Sequence, residues 1–443
     1  VSEPDVIVIG GGLAGLRAAR DLVDGGHTAI VLEARDRVGG RGLSAELGGR
    51  RVELGGSWFT PEHDLVRAEL ERYGLPVRDY GHVRYARWLT GGELRHGLPV
   101  PQDELASLEA ALLRVARDAE AVAAGDTSVG GCSASEYVAR FDPSPALRDF
   151  LLGWWQLMGG ARPDQGAVVD ALGSVAAHGG LAGLVTCLAH GPARGWSGLA
   201  EAMAASPGMS VRCGTAVSRV ERSQRGVICT TRSGERLAAG AAVIAVPINC
   251  LPDIEFFPPL PAPAREAAGA NVGTAVKVLM LARGVPPHGI AVGIGPGLNW
   301  LYADQEIDGE TLVTGFGWDD PGFDPADRGH VERALAAFYP EAELVESLHH
   351  DWIRDPASRG TWLTAPAGRA ELVDPSRFPP TGRLVFAGSD VAEQEAGWFE
   401  GALRSGAQAA VDAARFSKVG GADPPTGSAP PRRQERLTDR RSD

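Results

Sequence analysis

Cysteine is scarce in this chain of 443 residues, and no two cysteines stand at CxxC spacing. The five present (Cys132, Cys187, Cys213, Cys229 and Cys250) are odd in number and scattered, so neither a disulfide framework nor a cysteine zinc site is expected. A reducing, cytoplasmic compartment suits them. Positive charge is also short: 43 Lys and Arg against 56 Asp and Glu leave a net charge of -13, which would repel nucleic acid and anionic membrane surfaces. A small-molecule partner fits better. No uninterrupted apolar run has membrane-spanning length, because the nearest, from Ser174, is broken by histidines and glycines and reads as a buried helix and turn. A nucleophile elbow of the GxSxG type is missing. His349 and His350 are adjacent but lack clustered cysteine or carboxylate ligands, so no metal is expected. There is no internal repeat.

What the chain does have is an ordinary globular composition, 44% hydrophobic and 22% charged, long enough to bury more than one core. The first residues lead almost directly into an apolar strand, leaving no room for a signal peptide, although the missing initiator methionine leaves a removed leader open. Residues 419–443, rich in proline, glycine and charge, read as a disordered tail.

"PDVIVIGGGLAGLRAARDLVDGGHTAIVLEA" reads as strand, glycine turn, helix and strand. Within it Gly10, Gly12 and Gly15 form GxGxxG directly after the strand. Gly10 permits the turn, Gly12 lets backbone approach a pyrophosphate, and Gly15 allows close helix packing while the helix N-terminus faces the anion. Glu33 ends the second strand, where an acid can accept from a ribose. Next comes "RDRVGGRGLSAELGGRRVELGGSWF". Here Arg37 and Arg41 flank a glycine pair that includes Gly40, an arrangement that can pin a diphosphate. Gly55 and Gly56, before Ser57 and Trp58, would let a strand end pass beneath a flat ring.

This RxGGR followed by ExGGSW resembles the flavin-containing amine oxidase (monoamine oxidase) family. The likeness runs from Asp5 to about Arg415, and "AELERYGLP", "VAAH", "FDPAD", "DWIRDP" and "GSDVAEQEAGWFEGAL" have counterparts in nicotine-oxidising members. It implies an α/β fold, with a Rossmann-like FAD-binding domain assembled from residues 1–80, 195–265 and 378–418. Residues 81–194, helical and alanine-rich, and 266–377 would form an α+β substrate-binding domain. "AAVIAVP" and "GRLVFAGSD" read as returns to the first sheet. Arg35 and Val217 would join the cofactor-binding set, as would Gly388, Ser389 and Asp390. Gly397, Trp398 and Phe399 would open a late helix whose positive end faces the flavin.

The resemblance further implies that Trp362 and Trp398 form an aromatic cage around the reacting nitrogen, with core packing as the plainer role for both. Lys277, in the apolar stretch "GTAVKVLML", matches the family lysine that holds a water at flavin N5; an edge-strand lysine reaching solvent is the alternative. Tyrosine is usual in the family where Trp398 stands, and the pyridine-contacting asparagine falls at Leu157, beside Gln156. Such changes narrow the cage and remove a polar handle. Thr361 occupies the position of the covalent-flavin cysteine, which implies non-covalent FAD. Tyr302 and His178 are expected on the substrate side, His178 with a core role as the alternative.

The expected activity is oxidation of an amine, secondary or cyclic, with molecular oxygen as acceptor and hydrogen peroxide as product. Two rivals stay open: a flavin-dependent desaturase or dehydrogenase acting on a C–C bond or using another acceptor, and a flavin-binding partner protein without catalysis. The oligomeric state is also open, a homodimer among the options.

Overall fold

The apolar run after Asp5 forms the strand Val6–Ile9, in which every residue is buried. Burial on both faces is what a central parallel strand requires. It lies between Ala241–Ile244 and Ala29–Leu32 and is parallel to both. Leu384–Phe386 and Val211–Arg212 complete the five-stranded sheet at its two edges. The computed structural model describes residues 3–416, apart from 127, 130 and 182 and the side chains of 185–187. Residues 419–443, read above as a tail, lie outside the described residues.

The alternation of side chains along these strands separates two layers. Val6 and Val8 pack with Ala14, Ala18 and Leu22 of the helix Leu13–Asp24 and with alanines of the helix Phe399–Ala414. Small side chains let those two helices lie close together. Ile7 and Ile9 face the other way, onto Val217, Val220 and Val227. Those valines belong to a four-stranded sheet in the order Arg236–Ala239, Val227–Thr231, Val217–Arg222, Glu255–Phe257, of which the first three form an antiparallel meander.

A third sheet has seven strands, in the order Glu343–His349, Ala275–Arg283, Glu310–Trp318, Trp300–Ile307, Gly289–Gly293, Tyr85–Thr90, Glu93–His96. Its last two strands fall in the region read as helical. They form a hairpin turning at Gly91 and Gly92, both at positive φ, where a glycine pair supplies the turn at no steric cost. Helices Leu105–Ala123, Ala134–Ala139, Pro145–Gly159 and Val168–Ala177 follow and bury their apolar faces around Trp88, Phe150, Trp154 and Trp300. Among the described residues no helix is long and apolar enough to cross a membrane.

Candidate active site

A cavity of about 1130 Å³ extends from the carboxyl ends of the parallel strands to the seven-stranded sheet. That end of a parallel sheet is where ligands bind in open α/β folds. Gly10, Gly12, Glu33 and Arg35 line it beside the first strands, and Gly40, Arg41, Gly55, Gly56, Ser57 and Trp58 follow along the wall. A methyl group on Gly12 would meet only Gly40 Cα, at 3.8 Å, so the backbone there is bare toward the cavity. The helix Leu13–Asp24 starts with no side-chain cap and no acid in its first turn. Its first N–H groups are therefore free for an anion. Glu33 is held by two backbone donors, Gly11 N at 2.6 Å and Arg35 N at 2.8 Å.

Arg41 ties three distant segments together. It bonds Thr361 O at 2.6 Å, Ser389 Oγ at 2.8 Å and Asp390 Oδ1 at 2.5 Å. Asp390 also accepts from Ile248 N at 3.2 Å. Arg35 pairs with Asp355 at 2.9 Å. Although burial alone would raise the Asp355 acid, hydrogen bonds from His350 and Arg35 hold it well below the usual carboxylate range. Gly388, Ser389, Asp390 and Val217 line the same wall. These residues fit a dinucleotide: a bare glycine backbone, an uncapped helix end, a fixed acid and two arginines.

The other end of the cavity is aromatic. Trp362 donates from Nε1 to Met158 O at 3.1 Å and packs edge-on against Phe316, 6.0 Å between centroids. Trp398 is the N-cap of the helix Phe399–Ala414, which again has no side-chain cap. Gly397 sits against Trp362, since an added methyl would lie 3.7 Å from Trp362 Cβ. Both tryptophans, Gly397 and Phe399 line the cavity. Phe399 stacks on Trp196 with centroids 3.7 Å apart, and its ring would lie 2.5 Å from a methyl on Gly56, so only glycine fits there.

Lys277 reaches this region from the strand Ala275–Arg283, which is hydrogen-bonded on both sides and buried from Lys277 to Ala282. Burial is continuous because both faces are covered, and no edge offers the lysine a route to solvent. Its Nζ donates to Glu53 O at 2.5 Å, Gly55 O at 2.7 Å and Ser57 Oγ at 2.6 Å. Burial drives its pKa down, against the attraction of Glu53. Burial likewise pushes the Glu53 acid up, while hydrogen bonds from Ser44 hold it back.

Leu157, His178 and Thr361 also line the cavity. Four expected residues do not. Gly15 packs behind the wall, where a methyl would come within 2.0 Å of Gly10 O. Arg37 turns its guanidinium onto Gly40 O at 3.0 Å and Val38 O at 3.2 Å, so it shapes the loop that carries Gly40. Gln156 is fully buried, accepting from Asn299 Nδ2 at 3.4 Å. Tyr302 is buried behind Trp58 and donates its hydroxyl to Tyr80 O at 2.9 Å.

Three residues escaped the sequence reading. Glu395 lines the cavity two residues before Gly397. Asp170 and Ser174 line it one helical turn apart, in register with His178; that i, i+4, i+8 spacing was a signal available in the sequence. For Lys277 a further signal was composition, because only one other lysine, Lys418, occurs in the chain.

A sequence profile described as flavin containing amine oxidoreductase matches residues 13–414. The chain is 34% identical over 426 residues to (S)-6-hydroxynicotine oxidase of Paenarthrobacter nicotinovorans, covering 92% of this chain and 99% of that one. Putrescine oxidase with putrescine bound superposes with a TM-score of 0.83 at 22% identity, over 93% of this chain and 99% of that one. Cyclohexylamine oxidase from Brevibacterium oxydans gives 0.78 at 20% identity, over 94% and 99%. The protein shares the fold of those two oxidases and belongs to the flavin-containing amine oxidoreductase family.

Proposed function

We propose that this chain holds FAD without a covalent bond along the glycine-lined part of the cavity and oxidises amines, secondary or cyclic ones in particular, in the aromatic part. The observation that carries this is the meeting, in one cavity, of the dinucleotide loop with Trp362, Trp398 and Lys277. Non-covalent binding is supported by Thr361, which brings a hydroxyl rather than a thiolate to the wall, already bonded by Ala275 N at 3.2 Å. Residues 1–80, 195–265 and 378–418 form the cofactor domain in this proposal, and 81–194 with 266–377 form the substrate domain.

The glycine loop, Glu33 and Arg41 would hold FAD, which would supply hydride-accepting chemistry for the amine α-carbon; water would hydrolyse the imine product, and oxygen would take up the two electrons as hydrogen peroxide. The chain supplies position and electrostatics. Apolar walls disfavour an ammonium and so favour the neutral amine that can give up hydride. The faces of Trp362 and Trp398 orient it. The uncapped N–H groups at the start of the helix Phe399–Ala414 stabilise negative charge that develops beside them. Lys277, its Nζ donating to Ser57 Oγ, would assist the reaction of oxygen with the reduced cofactor.

Acid precipitation should release FAD into the supernatant, whereas flavin retained in the pellet would contradict non-covalent binding. Amines should drive peroxide formation with loss of the amine. A product unsaturated between carbons, with the nitrogen untouched, would favour the desaturase instead. The tryptophan pair argues against that rival, since an aromatic cage has no evident use for a substrate that presents no nitrogen.

A further inference from the structure

Beside Trp398 the cavity wall carries a polar group that the proposed chemistry does not use. His63 and His178 both pack on the Trp398 indole, with centroids 5.2 Å and 5.9 Å away. Their backbone partners fix opposite tautomers. Nδ1 of His63 accepts from Thr60 N at 3.3 Å, so the proton of the neutral ring sits on Nε2, 3.6 Å from Glu395 Oε2. Nδ1 of His178 lies 2.8 Å from Ser174 O, which can only accept. That ring therefore keeps its proton on Nδ1 and leaves the Nε2 lone pair unused.

Among the described acids on the cavity wall, Glu395 is the one with neither a backbone N–H nor an arginine bonded to its carboxylate. Glu33 takes two backbone N–H groups, Asp355 pairs with Arg35 and His350, Asp390 pairs with Arg41, and Asp253 pairs with Arg359. Asp170 accepts from Ala365 N and is pushed by burial up to about 6, toward its neutral form. Glu395 faces the His63 imidazole, whose Nε2 lies 3.6 Å from its Oε2. Its pKa is held below the ordinary value, first by His63. Arg404 also acts on it, but that guanidinium bonds Glu400. Exposed Glu62, on which both histidines also act, adds a second negative charge nearby. Glu395 also has a φ of 55°, and of the non-glycine residues described at positive φ it alone lines the cavity. Such a conformation is costly for glutamate, and costs of this kind concentrate at ligand sites.

From these contacts we infer that Glu395, with the Nε2 lone pair of His178 and the face of Trp398, binds a second, protonated nitrogen of the substrate. A carboxylate, a lone pair and a π-face together suit a cation and suit no anion. The two nitrogens of such a substrate would then be told apart by their surroundings: the one between the tryptophans is held neutral for oxidation, and the one at Glu395 is kept charged. This inference rests on the amine-oxidising reading and adds a substrate class to it, amines bearing a second basic nitrogen.

The test compares holoenzyme and Glu395→Gln with a terminal diamine and the monoamine of equal chain length, following anaerobic flavin bleaching. The wild type should prefer the diamine in rate over Kd, and the substitution should lower that preference about tenfold or more, the effect of losing a charged hydrogen bond. A diamine-to-monoamine ratio within twofold of the wild type, whatever happens to the absolute rates, would overturn it. Glu395→Asp keeps the charge and should retain part of the preference; if Glu395→Gln does not hold flavin, the diamine-to-monoamine ratio of Glu395→Asn against that of Glu395→Asp decides in its place, a lower ratio in Glu395→Asn supporting the site and equal ratios overturning it. Should neither amine bleach the wild type, the functional reading fails separately, and equilibrium quenching of tryptophan fluorescence by the two amines still decides: tighter diamine binding that depends on Glu395 supports the site, and equal binding refutes it.

Discussion

Lys277 is buried, holds three acceptors, and stands where its strand has no exit to solvent. Replacing it with methionine keeps the apolar stem and removes Nζ. Stopped-flow reoxidation of the reduced enzyme by oxygen should slow by about 100-fold, and anaerobic reduction by amine should change much less; equal loss in both steps would remove the assigned role. A different residue sets a pH dependence. The depressed acid of Asp355 contributes stability that is complete above the ordinary carboxylate value near 3.9 and is lost as pH falls through its lower folded value. Asp355→Asn should therefore cost about 1 kcal/mol at pH 6, partly screened by solvent, with the gap closing below about pH 4 in urea melts. A gap constant with pH would show that the shift plays no part. Residue-scale legibility followed covalent neighbourhood. Gly12, Glu33 and Arg41 were readable because backbone spacing puts them at strand ends and loops. The side chains of Tyr302, Gln156 and Arg37 were not, because a rotamer decides which wall a side chain meets, and each found a partner in protein: Tyr80 O, Asn299 and the loop carbonyls.

At the scale of elements, two uncapped helix starts and one helix end position the site. The helix Pro145–Gly159 ends at Gly160, whose φ of 55° lies in the left-handed region, and a methyl there would meet Trp362 Cε2 at 2.6 Å. Gly160→Ala should cost about 1 kcal/mol through the backbone and move Trp362 off its bond to Met158 O. Amine-driven bleaching should slow more than tenfold while FAD stays bound; an unchanged rate would place Trp362 outside the cage. The βαβ opening was legible because its pattern is local and its glycines have fixed offsets. The hairpin at 85–96 was not, because alanine-rich neighbours mask a short alternating run whose partner strand, Gly289–Gly293, lies about 200 residues away in sequence.

Across the whole molecule, the chain leaves the parallel sheet three times and returns three times, at Val211–Arg212, Ala241–Ile244 and Leu384–Phe386, and the cavity lies where those passages meet. Arg41 is the plainest case, joining loops from the first, penultimate and last stretches of the described chain through Thr361, Ser389 and Asp390. A fold of this kind was readable from returning strands such as "AAVIAVP" and "GRLVFAGSD". The wall opposite the cofactor loop was less so, since Glu395, Asp170 and Ser174 belong to no glycine motif and become neighbours only after folding. The central claim is that one cavity holds both FAD and an amine, with the tryptophans setting the geometry between them. It is tested most directly by mixing the purified yellow protein anaerobically with primary, secondary and cyclic amines and following the flavin band. Rapid bleaching by secondary or cyclic amines, with the imine or its carbonyl product recovered, is the expected result. A flavin band left unchanged by every amine, with FAD demonstrably bound, would contradict it.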